Sequence, residues 1–447
     1  MSVKLSDPLG RTAFVNARLL DPATGLDKLG ALLIEGEAIA DVSPSLFRSQ
    51  EGWDVPGGIR KIDCQGLCLA PGLVDMRVSL GEPGQEHKGT LASAGTAAAA
   101  SGITSMVCLP DTDPVIDDMS VVEFVARRAR KLGLTKVYPY GAITKGLKGK
   151  ELSEMGLLAE SGAVAFTDAT HAVADSQVMR RALDYAGTFN LLIVQHPEDP
   201  SLAKGGHMTS GETATRLGLS GIPAQAEVII IERDLRLAEV TDGRIHFAHI
   251  STADSVDAVR RAKERGIRVT CDTAPPYFSM NELAIGDYRT FTKLSPPLRP
   301  ESDRQAIIEG LQDGTIDAIA SDHTPQDEES KRLPFGQAAY GGIGLDTLLS
   351  VSLELFHNEY LTMLQMLDLL TAKPASLLNL PAGRLEKGLP ADLFLFDPDT
   401  VWKVDAHRLL SKSKNTPFDG RPVQGRVIRT VIDGRTVFEA ASHGVPS

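Results

Sequence analysis

The chain is poor in cysteine and tryptophan, and it has no long apolar run. Its 447 residues include four cysteines and two tryptophans. The cysteines form no CxxC motif, which argues against a zinc ribbon or a disulfide framework and is typical of a protein in a reducing cytoplasm. No run of about 18 apolar residues occurs, so no membrane span is predicted. The N-terminus has no basic segment followed by an apolar core, so we expect no signal peptide.

The chain also lacks an excess of positive charge. Its formal net charge is −12, which argues against general nucleic-acid binding because that function needs a basic surface. Hydrophobic residues make up 42% and charged residues 23%, as in ordinary globular proteins. The length allows one large domain and one smaller domain.

Both ends of the chain read as short strands. The segments "TAFVNARLLDP" and "GALLIEGEAIADV" alternate apolar and polar residues near the N-terminus. Near the C-terminus, "ADLFLFDPDTVWKV" and "GRVIRTVIDGRTVF" do the same, with a turn at Asp433-Gly434. We therefore predict one small β-sandwich domain built from residues 1–70 and 386–447.

The middle of the chain, residues 71–385, alternates short apolar strands with helical stretches. Strands such as "ITSMVCLP", "AVAFTD" and "LLIVQH" are separated by helices such as "DSVDAVRRAKERG". This βα alternation predicts a parallel sheet, and about eight units suit a (β/α)8 TIM barrel. A doubly wound open sheet is the alternative, but no GxGxxG follows the first strand to favour it.

Polar residues end several of these strands. Asp168, His196, His249 and Asp322 each follow an apolar segment. In a barrel the strand C-termini meet at one face, so these side chains would converge into a metal or catalytic site. For any one of them, the plain alternative is a capping residue or a satisfied polar group.

Motifs along nearly the whole chain resemble dihydroorotase of the bacterial type, in the cyclic-amidohydrolase branch of the amidohydrolase superfamily. They include "APGLVDM", "AAAASGITSMVCLPDTDPV", "HPED", "AHISTADSV", "SPPLRPESDRQAI", "SDHTPQDEESK" and "GRLEKGLPADLFLFDPD". The resemblance implies a metal-centred (β/α)8 barrel with a β-sandwich made from both ends. It also implies a role in pyrimidine synthesis, where carbamoyl aspartate and dihydroorotate are interconverted by a zinc-bound water and a general acid–base aspartate.

Compared residue by residue with the family pattern, this chain keeps four of the site residues and differs at several others. It places Asp168, His196 and His249 at metal positions and Asp322 at the catalytic aspartate. The metal-binding His-x-His of the first strand is replaced by Arg77-Val78-Ser79. The substrate-clamping arginine is Gly81, and two asparagines at substrate positions are Asp111 and Ser295.

Arginine at the first metal position does more than delete a ligand. Its guanidinium stays protonated and cannot bind a cation, so Arg77 places a positive charge beside the metal position. Our hypothesis is that this charge replaces the missing cation and pairs with Asp168 or Asp322. The alternative is one residual Zn²⁺ held by Asp168, His196 and His249, since three ligands plus water make a workable zinc set.

Three functions follow from these observations. The first is a non-catalytic dihydroorotase-like subunit, without cofactor, that scaffolds aspartate carbamoyltransferase. The second is a working cyclic amidohydrolase with a single metal or a shifted substrate, and the third is a binding module whose old pocket holds a regulatory metabolite. In each case we expect a cytoplasmic homo-oligomer with no nucleic-acid or membrane partner.

Overall fold

The computed structural model describes residues 10–441, which form a closed barrel and a mixed sheet. Residues 1–9 and 442–447 of the predicted terminal domain lie outside the described residues. The described part therefore contains both architectural units expected from the sequence. The division of the chain at residues 70 and 386 stays a prediction.

The mixed sheet has eight strands from the two ends of the chain. The two ends of the chain meet where the N-terminal strand Cys68–Pro71 pairs antiparallel with the C-terminal strand Leu393–Lys403. The predicted turn at Asp433-Gly434 joins the last two strands, and both of its residues have positive φ (46° and 71°). The eight strands are Arg11–Asp21, Leu26–Glu35, Ala38–Ser43, Ile59–Asp63, Cys68–Pro71, Leu393–Lys403, Pro422–Ile432 and Arg435–Glu439.

The barrel consists of parallel strands whose residues are mostly buried, which explains their nearly continuous apolar sequences. Its fourth position, predicted as the strand "AVAFTD", is only a bridge at Phe166, which pairs with Gly141 on one side and Ile193 on the other. A bridge between Val78 and His323 closes the ring. The seven strands are Leu73–Val78, Ile103–Cys108, Lys136–Pro139, Leu192–Gln195, Arg244–Phe247, Val269–Thr273 and Ala318–Ile319. The predicted (β/α)8 barrel is confirmed.

Helices surround the barrel, and local caps define their ends. In Met119–Leu132 the Asp118 side chain accepts from the Ser120 N–H at the start, and Gly133 ends the helix with φ of 63°. The α-helices are Leu91–Ala100, Met119–Leu132, Met155–Glu160, Ser176–Thr188, Pro200–Ala203, Glu212–Leu217, Gln225–Thr241, Ala253–Glu264, Pro275–Ser279, Glu301–Gln312, Glu328–Arg332, Leu348–His357, Met363–Asp368 and Ala372–Leu377.

Smaller elements fill the connections. Short strand pairs are Arg48–Ser49 with Gly52–Trp53 and Met208–Thr209 with Gly221–Ile222. Five 3-10 helices are Lys145–Leu147, Glu282–Ile285, Thr290–Thr292, Leu345–Thr347 and Ala406–Arg408. Within residues 10–441, each helix is too short or too polar to cross a bilayer.

Candidate active site in the barrel mouth

Arg77 lies near the end of the first barrel strand, and its side chain is buried inside the barrel mouth. Its Nε donates to Asp322 Oδ1 at 3.0 Å, and its Nη2 donates to the carbonyl of Ala169 at 3.2 Å. Nη1 has no hydrogen-bond partner among the described residues. The hypothesised pairing with Asp322 is therefore formed in the structure, whereas a pairing with Asp168 is not.

Asp322 follows the last barrel strand with a left-handed backbone, at φ of 49°. Burial raises the pKa of its carboxyl to about 6, although the Arg77 charge acts in the opposite direction. Its side chain is 12% exposed and forms part of the wall of a cavity at the barrel mouth. Asp322 therefore joins the buried arginine to the accessible part of the site.

His196 and His249 contact each other. His196 Nδ1 and His249 Nε2 are 2.8 Å apart, so one ring nitrogen donates to the other. His249 Nδ1 lies 3.9 Å from Asp322 Oδ1, beyond hydrogen-bond distance. Burial, and then the charge of Arg77, lowers the pKa of His196 to about 3 and that of His249 well below its usual value. Both rings are therefore neutral at physiological pH.

Asp168 is hydrogen-bonded to Thr144 rather than to a member of this group. Its carboxylate accepts from the N–H of Thr144 at 2.9 Å and from the hydroxyl of the same residue. Burial raises its pKa, and the Thr144 hydrogen bonds oppose that shift. The structure thus brings together Arg77, His196, His249 and Asp322, and it leaves Asp168 bonded to its neighbouring loop.

Ser79 and Asp111 form a second polar contact at the mouth. Ser79 Oγ donates to Asp111 Oδ2 at 2.9 Å, while Asp111 Oδ1 is buried without a partner in the described part of the chain. Burial raises the pKa of Asp111. Gly81 has φ of 72°, and a Cβ there would lie 2.8 Å from the carbonyl oxygen of Gln85. An arginine at position 81 would therefore need a different loop.

The cavity at the mouth measures about 630 Å³, within the range of small-molecule sites. Its wall includes Ser79, Gly81, Asp111, Ser295 and Asp322. Ser295 Oγ is 3.3 Å from His196 Nε2 and 3.4 Å from Glu198 Oε1. In the same wall lie Gln85, Lys88, Glu198, Lys204 and Tyr340.

These side chains do not form a zinc set as they stand. Asp168, His196 and His249 are at most 2% exposed, and the two histidines bond to each other through His196 Nδ1 and His249 Nε2. Within residues 10–441, no group of three His, Cys, Asp or Glu side chains is placed to share one ion. The guanidinium of Arg77 supplies the positive charge beside Asp322.

Sequence reasoning missed several partners. Thr144 holds Asp168, the Ala169 carbonyl accepts from Arg77, and Asp75 accepts from the N–H of Arg77 at 3.2 Å. Glu198, whose Oε2 is buried without a partner in the described region, lies two residues after His196 in "HPED". That acidic pair after a strand-end histidine was the available signal. Thr144 and Ala169 carry no such signal.

Comparison with known protein families points to the same family as the sequence motifs do. Residues 66–255 match the family described as Dihydro-orotase-like, and residues 226–438 match the family described as Amidohydrolase family. A protein named dihydroorotase from Desulforapulum autotrophicum is 44% identical over 426 residues, covering 95% of this chain and 98% of the relative. One from Anaplasma phagocytophilum is 43% identical over 429 residues, covering 96% of this chain and 95% of the relative.

Solved structures share the fold. The L-hydantoinase (dihydropyrimidinase) of Arthrobacter aurescens superposes with a TM-score of 0.85 at 25% identity and covers 96% of both chains. The dihydropyrimidinase of Brevibacillus agri superposes with a TM-score of 0.81 at 20% identity, covering 96% of this chain and 95% of that one, which supports the fold alone. Together with the barrel, the terminal sheet and the sequence relatives, these comparisons show that the chain belongs to the dihydroorotase family of the amidohydrolases.

Proposed function

We propose that this chain is a non-catalytic member of the dihydroorotase family. In this proposal it acts in pyrimidine biosynthesis as a subunit that scaffolds aspartate carbamoyltransferase, and it uses no metal cofactor. The observation that carries the proposal is the Arg77 Nε at 3.0 Å from Asp322 Oδ1. A fixed cation occupies the side of the site where the family resemblance expects the first metal, and it engages the aspartate expected to move protons.

The state of Asp322 supports this interpretation. A general base must be free to take a proton from the attacking water. Here Asp322 Oδ1 accepts from a guanidinium that cannot be deprotonated, which leaves only the second oxygen of this carboxylate for a proton, and its neighbours His196 and His249 bond to each other. Each group that would perform metal-dependent hydrolysis therefore has a partner within the chain.

Changes on the substrate side act independently. The resemblance expects an arginine and an asparagine to hold a substrate carboxylate, but the chain has Gly81 and Asp111. Losing a charge-assisted hydrogen bond costs about 1.5–3 kcal/mol of binding free energy. The Asp111 carboxylate, when ionised, would in addition repel an anionic substrate. Neither change depends on the loss of metal ligands.

The second candidate is an active cyclic amidohydrolase with one Zn²⁺ at Asp168, His196 and His249. It is favoured by the relatives, which carry the name dihydroorotase, and by the cavity of about 630 Å³ that remains at the mouth. This candidate requires the three side chains to move towards one another, because in the described residues no such group is placed to share one ion.

Metal content and turnover measured on one sample separate the two candidates. We expect the purified, tag-free protein, refolded or grown with added zinc, to hold far less than one zinc per chain and to leave dihydroorotate and carbamoyl aspartate unchanged. About one zinc per chain with turnover would overturn the proposal.

A variant separates the damage to the metal site from the damage to substrate binding. We expect R77H/S79H to gain zinc, because two imidazoles return to the first strand and the guanidinium is removed. It should still not turn over, because Gly81 and Asp111 remain. Turnover by this variant would mean that Arg77 and Ser79 alone block activity. S79H serves as the control, since it keeps Arg77 and should not gain metal.

The scaffold role has its own test. Co-purification with the aspartate carbamoyltransferase from the same genome, followed by light scattering, should give a complex of fixed stoichiometry. The R77H/S79H variant should form the same complex, because in this proposal the barrel mouth is not needed for assembly. Two proteins that elute separately at micromolar concentration would contradict the scaffold role. The proposal includes self-association of the chain and a cytoplasmic location, which the mass of the free protein and cell fractionation check.

A further inference from the structure

A second cavity lies where the barrel meets the terminal sheet, and it is separate from the cavity at the barrel mouth. It measures about 670 Å³ and is formed between helix Leu348–His357 and strands Leu393–Lys403 and Pro422–Ile432. None of its wall residues belongs to the wall of the mouth cavity. We call this cavity the interdomain cleft.

The floor of the interdomain cleft is apolar. Leu349 from the helix and Val427 and Phe438 from the sheet are all buried and form part of its wall. Trp402 lies beside them, and its indole Nε1 donates to the carbonyl of Gly425 at 2.9 Å. This floor can accept a ring, because a flat apolar body removes water from such surfaces.

The rim of the interdomain cleft is positively charged. Lys403, Arg408 and Arg426 line it, and all three are exposed. The Cζ atom of Arg426 lies 4.0 Å from the centroid of the Trp402 ring, so the guanidinium is held in place by the indole. Partial burial, and then the charge of Arg408, lowers the pKa of Arg426, as expected for two neighbouring like charges.

The carboxylates of the cleft are bonded to other groups. Asp346 accepts from the N–H of Leu410 at 2.7 Å and from Ser411, and Asp405 accepts from the N–H of His407 at 3.0 Å. In the described part of the chain, no carboxylate lies within 4.0 Å of the guanidinium nitrogens of Arg408 or Arg426. Three cations, against the two carboxylates of Asp346 and Asp405, line the interdomain cleft, so its wall carries an excess of positive charge although the chain has a net charge of −12.

We propose that the interdomain cleft binds a small molecule that carries a phosphate monoester on an apolar ring. A phosphate monoester has about −1.5 to −2 charge at pH 7 and three acceptor oxygens, which match two guanidinium groups and one ammonium. The ring packs on the apolar floor. Neither guanidinium is paired with a carboxylate of the described residues, and two unpaired guanidinium groups favour a dianion over a single carboxylate.

Isothermal titration calorimetry with phenyl phosphate tests this proposal on the full chain. We expect one site per chain, binding at least about tenfold tighter than inorganic phosphate, which has no ring for the floor. Affinity should fall as salt is raised, because the rim is exposed. Adenosine and uridine 5′-monophosphates then distinguish a nucleotide source from a simpler phosphorylated ring, and the corresponding nucleosides should bind weakly.

Three variants assign the binding to the cleft. Arg408→Gln and Arg426→Gln should each weaken phenyl phosphate binding about tenfold, the equivalent of one charge-assisted contact. Arg236→Gln is the matched control, because Arg236 is also exposed, lies on helix Gln225–Thr241 and is absent from the cleft. Arg408 does not stack on Trp402, so Arg408→Gln remains informative if Arg426→Gln disturbs the sheet.

Absence of heat at millimolar phenyl phosphate would overturn the proposal. So would equal affinity in the wild type and in R408Q/R426Q, which would place the binding elsewhere. Neither result bears on zinc content or on assembly with aspartate carbamoyltransferase, so the proposed function and this inference fail separately.

Discussion

Two buried arginine–carboxylate pairs in this chain are bonded very differently. Arg77 pairs with Asp322 in the barrel mouth, and Arg299 pairs with Glu227 in the first turn of helix Gln225–Thr241. Both arginine side chains are only 3% exposed. Because the two arginines are equally buried, the contrast lies in their hydrogen bonds and in the exposure of their carboxylates, which is 12% for Asp322 and 1% for Glu227.

Arg299 uses all of its guanidinium nitrogens. Nε donates to Ser251 Oγ at 3.0 Å, Nη1 to Thr209 Oγ1 at 3.3 Å and Nη2 to Glu227 Oε2 at 3.4 Å. Glu227 in turn accepts from the N–H groups of Ser251 and Thr252. A buried ion pair that is fully hydrogen-bonded in this way holds the surrounding side chains in one arrangement.

Arg77 has one nitrogen without a partner in the described residues, and the pKa of Asp322 is raised to about 6. Asp322 also reaches the mouth cavity, whereas Glu227 is 1% exposed. Arg77 therefore lies in a polar site in which one of its guanidinium nitrogens stays unsatisfied among the described residues. Such a site is expected where an arginine stands in a position shaped for another group.

The largest effect is expected at the complete pair. Arg299→Met should lower the free energy of unfolding by about 3–5 kcal/mol, because Glu227 would remain buried and charged without its cation. Urea unfolding followed by circular dichroism measures the change. A loss below 1 kcal/mol would show that the two pairs do not differ in the way their hydrogen bonds indicate.

A smaller loss is expected at the incomplete pair. Arg77→Met should lower the free energy of unfolding by about 1.5–3 kcal/mol, because Asp322 can take up a proton or contact water in the cavity. Urea unfolding under the same conditions as Arg299→Met provides the comparison. A loss equal to or larger than that of Arg299→Met would contradict the claim that the pair with more complete hydrogen bonds loses more free energy of unfolding.

The smallest effect concerns pH. The pKa of His196 is lowered from 6.5 to about 3 in the folded chain. The unfolded chain therefore binds a proton at this ring below about pH 6.5, whereas the folded chain binds it only near pH 3. Stability from this residue is therefore lost as pH falls through that window. We expect His196→Asn to reduce the loss between about pH 7.5 and pH 5 by about 1–2 kcal/mol.

The control for the pH measurement is the exposed His407→Asn, which should leave the slope unchanged. Asp322 acts with the opposite sign, because its raised pKa lowers stability as pH rises from about 4 to about 6. The difference between the His196 variant and the wild type, rather than the wild-type curve, isolates the histidine. An unchanged slope in His196→Asn would mean that this ring is already hydrated in the folded chain.

Much of the fold could be predicted from the sequence because its signals are local. The alternation of apolar and polar residues predicts the terminal strands, and the Asp433-Gly434 pair predicts the turn between two of them. Helices such as Gln225–Thr241 are also predicted as separate segments. The fourth barrel strand could not be predicted in its real form. Around Phe166 the backbone makes only one bridge on each side, and that depends on the neighbouring strands rather than on "AVAFTD" itself.

The site was predictable in membership but not in contacts. Residue types at strand ends identified Asp168, His196, His249 and Asp322, and the resemblance to dihydroorotase added Arg77, Ser79, Asp111 and Ser295. Which carboxylate Arg77 would meet was open, since Asp168 and Asp322 were equivalent candidates. The choice depends on Thr144, which is far from both histidines in sequence and bonds Asp168 in space.

The order of strand-like and helix-like segments indicates the barrel, and the motifs that resemble dihydroorotase indicate the family, the replacement of the first-strand histidines and the loss of positive charge at the substrate positions. The bond between Arg77 and Asp322, the bond between His196 and His249 and the cleft shared by Arg408 and Arg426 are visible only in the folded chain. The physical reason is that hydrogen bonds and charge pairs act over a few ångströms. The residues concerned come within that distance only when separate strands, loops and the two chain ends have packed together.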